Sequence, residues 1–209
     1  MSLTIRQIDI YLQALVDNAK DLHRESEILF KKKAYARSYT LSHIAREEIA
    51  KCHILYAAGR RMIADVEVDW KKTMKRLRDH KSKLKQETVT NAAMLIMSGN
   101  EEDFDDIMNK AQASCDWRNN HKNNSLYVGI SSDGKIVSPS TDIDKDIAQR
   151  NIELARFIIR DEIKFQSKVG KLENMEPTRL AGISSVDLMT EEQHKELLRK
   201  LAKSANRGD

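Results

Sequence analysis

Apolar residues recur at three- and four-residue steps along most of this 209-residue chain, and that period is the strongest constraint on its fold. Ile5, Ile8, Leu12, Leu15, Val16, Ala19 and Leu22 form one such stripe, with Arg6, Gln7, Asp17 and Lys20 between them. A helix with one apolar stripe must bury it against another element, so a helical bundle follows. Seven glycines, two prolines and 5% aromatic residues leave few turn signals and few strand formers to compete.

The stripes divide the chain in order. The first predicts a helix from Ile5 to about Leu29, and Lys31-Lys32-Lys33 breaks it. A second runs from Ala34 to about Met62 with Leu41, Ile44, Ala45, Cys52 and Leu55 on its stripe. A third starts near Trp70, uses Met74, Leu77 and Leu84, and extends toward Ala92 and Ile96. A fourth follows Gly99-Asn100 and carries Phe104, Ile107, Met108, Ala111 and Cys115. Residues 118–141 lose the period and read as a long loop, with a short hairpin around Asp133-Gly134. A fifth helix begins at Thr141 or Asp142 and reaches about Val169. Asn174 to Met189 is loop-like, and Thr190 with Gln193 opens a terminal helix holding Leu197, Leu198 and Leu201. The expected class is all-α: an antiparallel bundle of four or five helices over residues 1–170, and an appendage of loop and short helix over 171–209.

Several function classes drop out. No apolar run approaches the roughly 18 residues of a membrane span, so no membrane partner is expected. The first residues lack a basic stretch followed by an apolar one, which leads to the expectation of a cytoplasmic protein. Cys52 and Cys115 form no CxxC pair and read as reduced core residues. There is no HExxH, GxSxG, phosphate loop or GxGxxG, and Glu191 to His194 is the only Glu-x-x-His where a di-iron bundle needs two. Neither a metal nor another cofactor is expected.

Three segments carry polar residues that a plain bundle does not require. On the second helix, stepping about 100° per residue from Leu41 puts Glu48 at about 340°, inside the apolar stripe. A carboxylate there must be exposed by tilt, protonated or matched to a cation from elsewhere. Glu47 and Lys51 form an i,i+4 pair on the flank of that stripe. Two readings stand: a structural ion pair, or a polar site between helices formed by Glu47, Glu48 and Lys51. The second segment, Trp70 to Lys85, sets Lys71, Lys72, Lys75, Arg76, Arg78, Lys81, Lys83 and Lys85 against Asp79 alone. It is either a solvated face or a phosphate-tracking surface, and His80 within it offers an imidazole able to donate or accept a proton. In the third, Arg118, His121 and Lys122 crowd the end of the fourth helix beside four asparagines and Tyr127. That suits either phosphate or carboxylate binding, or a helix C-terminus with favourable positive charges.

Taken in order, these motifs resemble the AbiV family of abortive-infection proteins, in the HEPN group of helical domains. The resemblance rests on Tyr35-Ala36-Arg37-Ser38-Tyr39, Glu47-Glu48-Ile49-Ala50-Lys51, Trp70, the run from Arg78 to Leu84, Lys122 with Ser125 to Val128, and Ser138-Pro139. It covers roughly residues 5–165. It implies a HEPN-like, phage-defence homodimer acting on RNA or on ribosomal and translation components, with a phage-encoded protein as a further partner. Many HEPN proteins cleave RNA without metal, using an arginine followed, after four to six residues, by a histidine. Here Arg118 and His121 have two residues between them, while Arg37 to His43 and Arg46 to His53 fit the spacing inside the second helix. On this reading His121 or His80 is the acid/base, and Arg118 and Lys122 stabilise phosphate. Arg76, Arg78, Lys81, Lys83 and Tyr127 contact substrate. The competing reading is a non-catalytic helical module that arrests growth by binding a phage or host component.

Overall fold

A computed structural model describes residues 2–80, 82–84, 86–87, 121–131 and 133–177. The fourth helix expected around Phe104 to Cys115, the terminal helix from Thr190, and the candidates Arg118 and Lys81 lie outside the described residues.

Helix α1 (Ile5–Lys31) starts on a reciprocal cap: Thr4 Oγ1 accepts the Gln7 N–H at 3.2 Å, and the Thr4 N–H donates to Gln7 Oε1 at 2.9 Å. A tight turn follows at the triple lysine. Lys33 there adopts a left-handed φ of 62°, and the Ala34 N–H closes the turn onto the Leu29 carbonyl at 2.9 Å. Helix α2 (Tyr35–Ile63) then runs back along α1. Ile8, Leu12, Leu15, Val16 and Ala19 of α1 pack against Ala45, Ile49, Cys52, Leu55 and Tyr56 of α2 as the main core. The expected α1 stripe is therefore present; on α2, Ala45, Cys52 and Leu55 are core residues as expected, while Leu41 and Ile44 are only partly buried and Ile49 and Tyr56 take core places instead, and Cys52 is a buried free thiol.

Beyond α2 the structure departs from the predicted boundaries in three places. Helix α3 (Trp70–Arg78) does not continue unbroken through Leu84, because Asp79 is extended at φ −78° and ψ 123°. Its carboxylate accepts the Ser82 N–H at 2.8 Å and the Ser82 hydroxyl at 2.6 Å. Asp79 thus ends one helix and caps a second run of helical residues, 80, 82–84 and 86–87. Residues 121–124, expected within the loop, are helical. The loop after them does hold the expected hairpin: β1 (Gly129–Ile130) pairs antiparallel with β2 (Ile136–Val137), and Gly134 turns it at φ +81°.

The predicted fifth helix divides into two. A single turn, α4 (Pro139–Asp142), stops at extended Ile143. Asp144 then caps α5 (Lys145–Val169) by accepting the Ile147 N–H at 2.8 Å. Helix α5 packs on both α1 and α2, and Ile143 and Ala148 close a second small core over Ala36 and Tyr39. Past Gly170 a 3-10 turn (Leu172–Asn174) lies on α1 and α2. Asp9 accepts the N–H groups of Leu172 and Glu173 at 3.0 and 3.1 Å, and Leu172 is 1% exposed beside Gly59. The protein is mostly helical, and no helix among the described residues is long and apolar enough to cross a membrane.

Leu172 is the apolar anchor of that final turn. Leu172→Ala is expected to lower stability by about 2–5 kcal/mol, through lost burial and the cavity left behind. Urea denaturation checks this as a lower midpoint with an unchanged m value.

Candidate functional site

Helix α2 is buried on more than its apolar stripe. Thr40, His43, Arg46 and Glu47 are also buried, on the flank facing His80, Lys83, Glu87 and residues 121–125. This central position explains why a one-stripe projection selects the wrong glutamate. Glu47, at 3% exposure, is the carboxylate that enters the interior. The Glu48 side chain is also largely covered, at 12% exposure, and holds Lys51 at 2.5 Å, so the expected Glu47–Lys51 pair is replaced by an i,i+3 pair within the helix. Glu48 is matched by a cation from its own helix rather than from elsewhere.

Glu47 collects partners from three segments. Its Oε2 lies 2.7 Å from His80 Nδ1 and 2.7 Å from Lys83 Nζ. Its Oε1 accepts from Lys122 Nζ at 3.1 Å and faces His43 Nε2 at 3.4 Å. Lys83 and Lys122 are themselves buried, while the His80 side chain is 54% exposed. The break at Asp79 is what makes this convergence possible, since it redirects the chain just before His80 and Lys83. Burial alone would raise the Glu47 pKa. The contacts with His43, Lys83 and Lys122 outweigh it and hold the carboxyl well below the usual range. Burial also depresses the pKa of His43, more than its neighbouring carboxylate can offset, so that ring is neutral.

The protonation of His80 follows from its partners. A carboxylate only accepts, so the contact with Glu47 is a hydrogen bond when Nδ1 carries the proton. Nε2 is then the basic nitrogen, and Lys122 Nζ lies 3.2 Å from it. In the other tautomer the bare Nδ1 accepts from Lys122 at 2.7 Å and loses its bond to Glu47. The first arrangement keeps the bond to Glu47 and leaves Nε2 as a base 3.2 Å from the Lys122 ammonium, while setting that ammonium 2.7 Å from the Nδ1–H, donor against donor.

A second layer fixes the first. Arg46 donates to Glu87 through Nε at 3.0 Å and through Nη2, and its Nη1 donates to Asn151 on α5. Asn151 in turn donates to the Tyr39 carbonyl at 3.0 Å and to Ser42 Oγ at 2.6 Å. The segment carrying Lys122 is fastened by Ser125, whose hydroxyl donates to the Lys122 carbonyl at 2.6 Å and meets Thr40 Oγ1 at 2.7 Å. Arg37 Nη1 donates to the Leu126 carbonyl at 3.2 Å.

Of the residues singled out in the sequence, Glu47, His80, Lys83 and Lys122 therefore converge. Glu48 and Lys51 pair apart from them. Arg76 donates to Gln86 Oε1 at 2.8 Å, Arg78 is exposed on α3, and Tyr127 is exposed at the start of the ribbon. His121 lies 6.4 Å from Tyr39, ring to ring. The histidine-and-arginine pairs on α2 do not form units: Arg37 reaches the 125–126 turn, His43 faces Glu47, Arg46 holds Glu87, and His53 Nε2 lies 3.7 Å from Glu162. Sequence reasoning missed Thr40, Glu87 and Asn151, and named Ser125 only within the AbiV-like motif, with no structural role. Glu87 had one available signal, as an acid just beyond a long basic run. Among the described residues no three His, Cys, Asp or Glu side chains are grouped so as to hold a metal ion.

Residues 7–160, which include the whole Glu47 cluster, match the family model HEPN_AbiV, described as AbiV. Neither a curated protein nor a solved structure matches the chain.

Glu47→Gln leaves two buried ammoniums without their counter-charge and is expected to cost about 3–5 kcal/mol. Glu48→Gln breaks a pair between helix neighbours and is expected to cost about 1 kcal/mol or less. Because the folded pKa of Glu47 is depressed, its contribution is complete above its ordinary value of 4.5 and is lost as pH falls below that. Thermal melts from pH 7 to pH 3 check both points: the wild type loses stability more steeply below pH 4.5 than Glu47→Gln does.

Proposed function

The chain belongs to the AbiV family, and we propose that it is a phage-defence protein of the abortive-infection type that cleaves RNA without a metal ion. The observation that carries this reading is His80, half exposed, with Nδ1 held by a buried carboxylate and Nε2 beside Lys122.

The chemistry fits a transesterification. His80 Nε2 accepts the proton of a ribose 2′-hydroxyl, and the freed oxygen attacks the adjacent phosphorus. The bond from phosphorus to the 5′-oxygen breaks, leaving a 2′,3′-cyclic phosphate, and the 5′-oxygen takes a proton from protonated His80 or from water. Lys122 stabilises the negative charge that builds on the non-bridging oxygens. Glu47 fixes the tautomer and steadies the imidazolium, while Lys83 balances Glu47. His80 is thus the preferred acid/base over His121, and Glu47 is a positioning residue. A homodimer is the assembly this reading expects.

The exposed cations Lys71, Lys72, Lys75 and Arg78 on α3 favour a second reading, a non-catalytic module that binds a phage or host component through this basic face.

Purified protein incubated with end-labelled RNA in excess EDTA separates the two. The nuclease reading expects products ending in 2′,3′-cyclic phosphate. It expects a loss of about 100-fold or more in folded His80→Ala, and retained cleavage in His121→Ala. Absence of cleavage by the wild type, or unchanged cleavage by His80→Ala, overturns it. Arrest that disappears on charge reversal at Lys72, Lys75 and Arg78, without any cleavage, supports the module.

A further inference from the structure

Residues 122–126 run along α2 in a fixed register. Lys122 meets Glu47, Ser125 meets Thr40, and the carbonyls of Ser125 and Leu126 meet Arg37. Ten helical residues separate Arg37 from Glu47, roughly 15 Å at 1.5 Å per residue. One end of this segment therefore carries the His80 and Lys122 pair, and the other carries Arg37 and then Tyr127.

That far end has an unusual surface. Tyr127 and Val128 are each 68% exposed, and Ile130 and Ile136 of the ribbon are 76% and 77% exposed. Scattered apolar residues on a surface are ordinary, but four along one ribbon mark a contact face. The Tyr127 backbone is not loose, since its N–H donates to the Asn123 carbonyl at 3.0 Å. Arg37 uses Nη1 for both carbonyls, and among the described residues its Nε and Nη2 make no hydrogen bond. Lys135 is occupied by Asp133 at 2.7 Å, whereas Arg37 is exposed and is held one residue from Tyr127 in the chain, at the Leu126 carbonyl.

We infer that Arg37 and Tyr127 form a subsite for single-stranded RNA, in which Tyr127 stacks an unpaired base and Arg37 holds a phosphate, a few nucleotides from the phosphate at His80 and Lys122. This rests on the reading of the Glu47 cluster as an RNA site. An exposed aromatic ring beside an exposed guanidinium suits a single strand, because every base offers a π-face to the ring and a neighbouring phosphate can meet the charge. A duplex keeps its bases stacked on one another and cannot use Tyr127. A purely apolar protein partner would make no use of the Arg37 guanidinium.

The test measures fluorescence anisotropy of labelled 2′-O-methyl oligonucleotides, which cannot be cleaved, with the full chain. Wild type is expected to bind the single strand and to bind a self-complementary duplex much more weakly. Tyr127→Ala is expected to bind the single strand about tenfold more weakly, and Tyr127→Phe, which keeps the ring, as well as wild type. The ring is exposed, so these variants keep the fold. Equal binding by Tyr127→Ala and wild type, equal binding of strand and duplex, or no binding by wild type overturns the inference. So does Tyr127→Ala that binds RNA normally but no longer protects cells, which would assign the ribbon to a protein partner. Tyr127-dependent binding without cleavage of ordinary RNA upholds the subsite and removes the nuclease reading. Cleavage with binding indifferent to Tyr127 does the reverse.

Discussion

A single buried carboxylate, Glu47, ties together three parts of the chain that are far apart in sequence. Two lysines and the His80 imidazole lie on its oxygens, His80 and Lys83 brought by the stretch after Asp79 and Lys122 by the segment beginning at His121. Taking any of these charges out of water alone would be prohibitive, and only their mutual contact makes the interior acceptable to them. The cluster therefore specifies how residues 80–87 and 121–126 sit against α2. Its one half-exposed member, His80, is the group through which this arrangement reaches solvent.

The rest of the fold serves that placement. Apolar packing of α1 against one face of α2 supplies the main core and leaves the opposite flank of α2 free to be polar. Helix α5 is tied to that flank through Asn151, which meets both Arg46 and the α2 backbone. Arg46 and Glu87 form a second buried ion pair beside the first. The two networks lie side by side on the polar flank of α2, so the geometry around His80 is set by interior contacts rather than by a surface loop.

Much of this was legible from residue order alone. The stripe from Ile5 to Leu22 gave α1, the triple lysine gave the turn, and Asp133-Gly134 gave the hairpin. The resemblance to AbiV was also readable, because it lies in local motifs. The choice between Glu47 and Glu48 was not, since a projection from one stripe assumes that a helix has one buried face, and α2 is buried nearly all round. The break at Asp79 was hidden for another reason. An aspartate followed three residues later by a serine caps a helix only if the backbone turns there, and the basic run on either side reads as one continuous helix. Thr40 and Asn151 gave no signal, and Ser125 none beyond its place in a local motif, because their importance comes from partners 85 to 112 residues away in the chain.

The account stands or falls on the state of His80. Long-range nitrogen–proton correlation spectra of the labelled protein, recorded with the ring neutral, read which nitrogen carries the proton. The account predicts an Nδ1–H tautomer in the wild type that shifts toward Nε2–H when Glu47 is replaced by glutamine. An Nε2–H tautomer in the wild type, unchanged by that substitution, would contradict it.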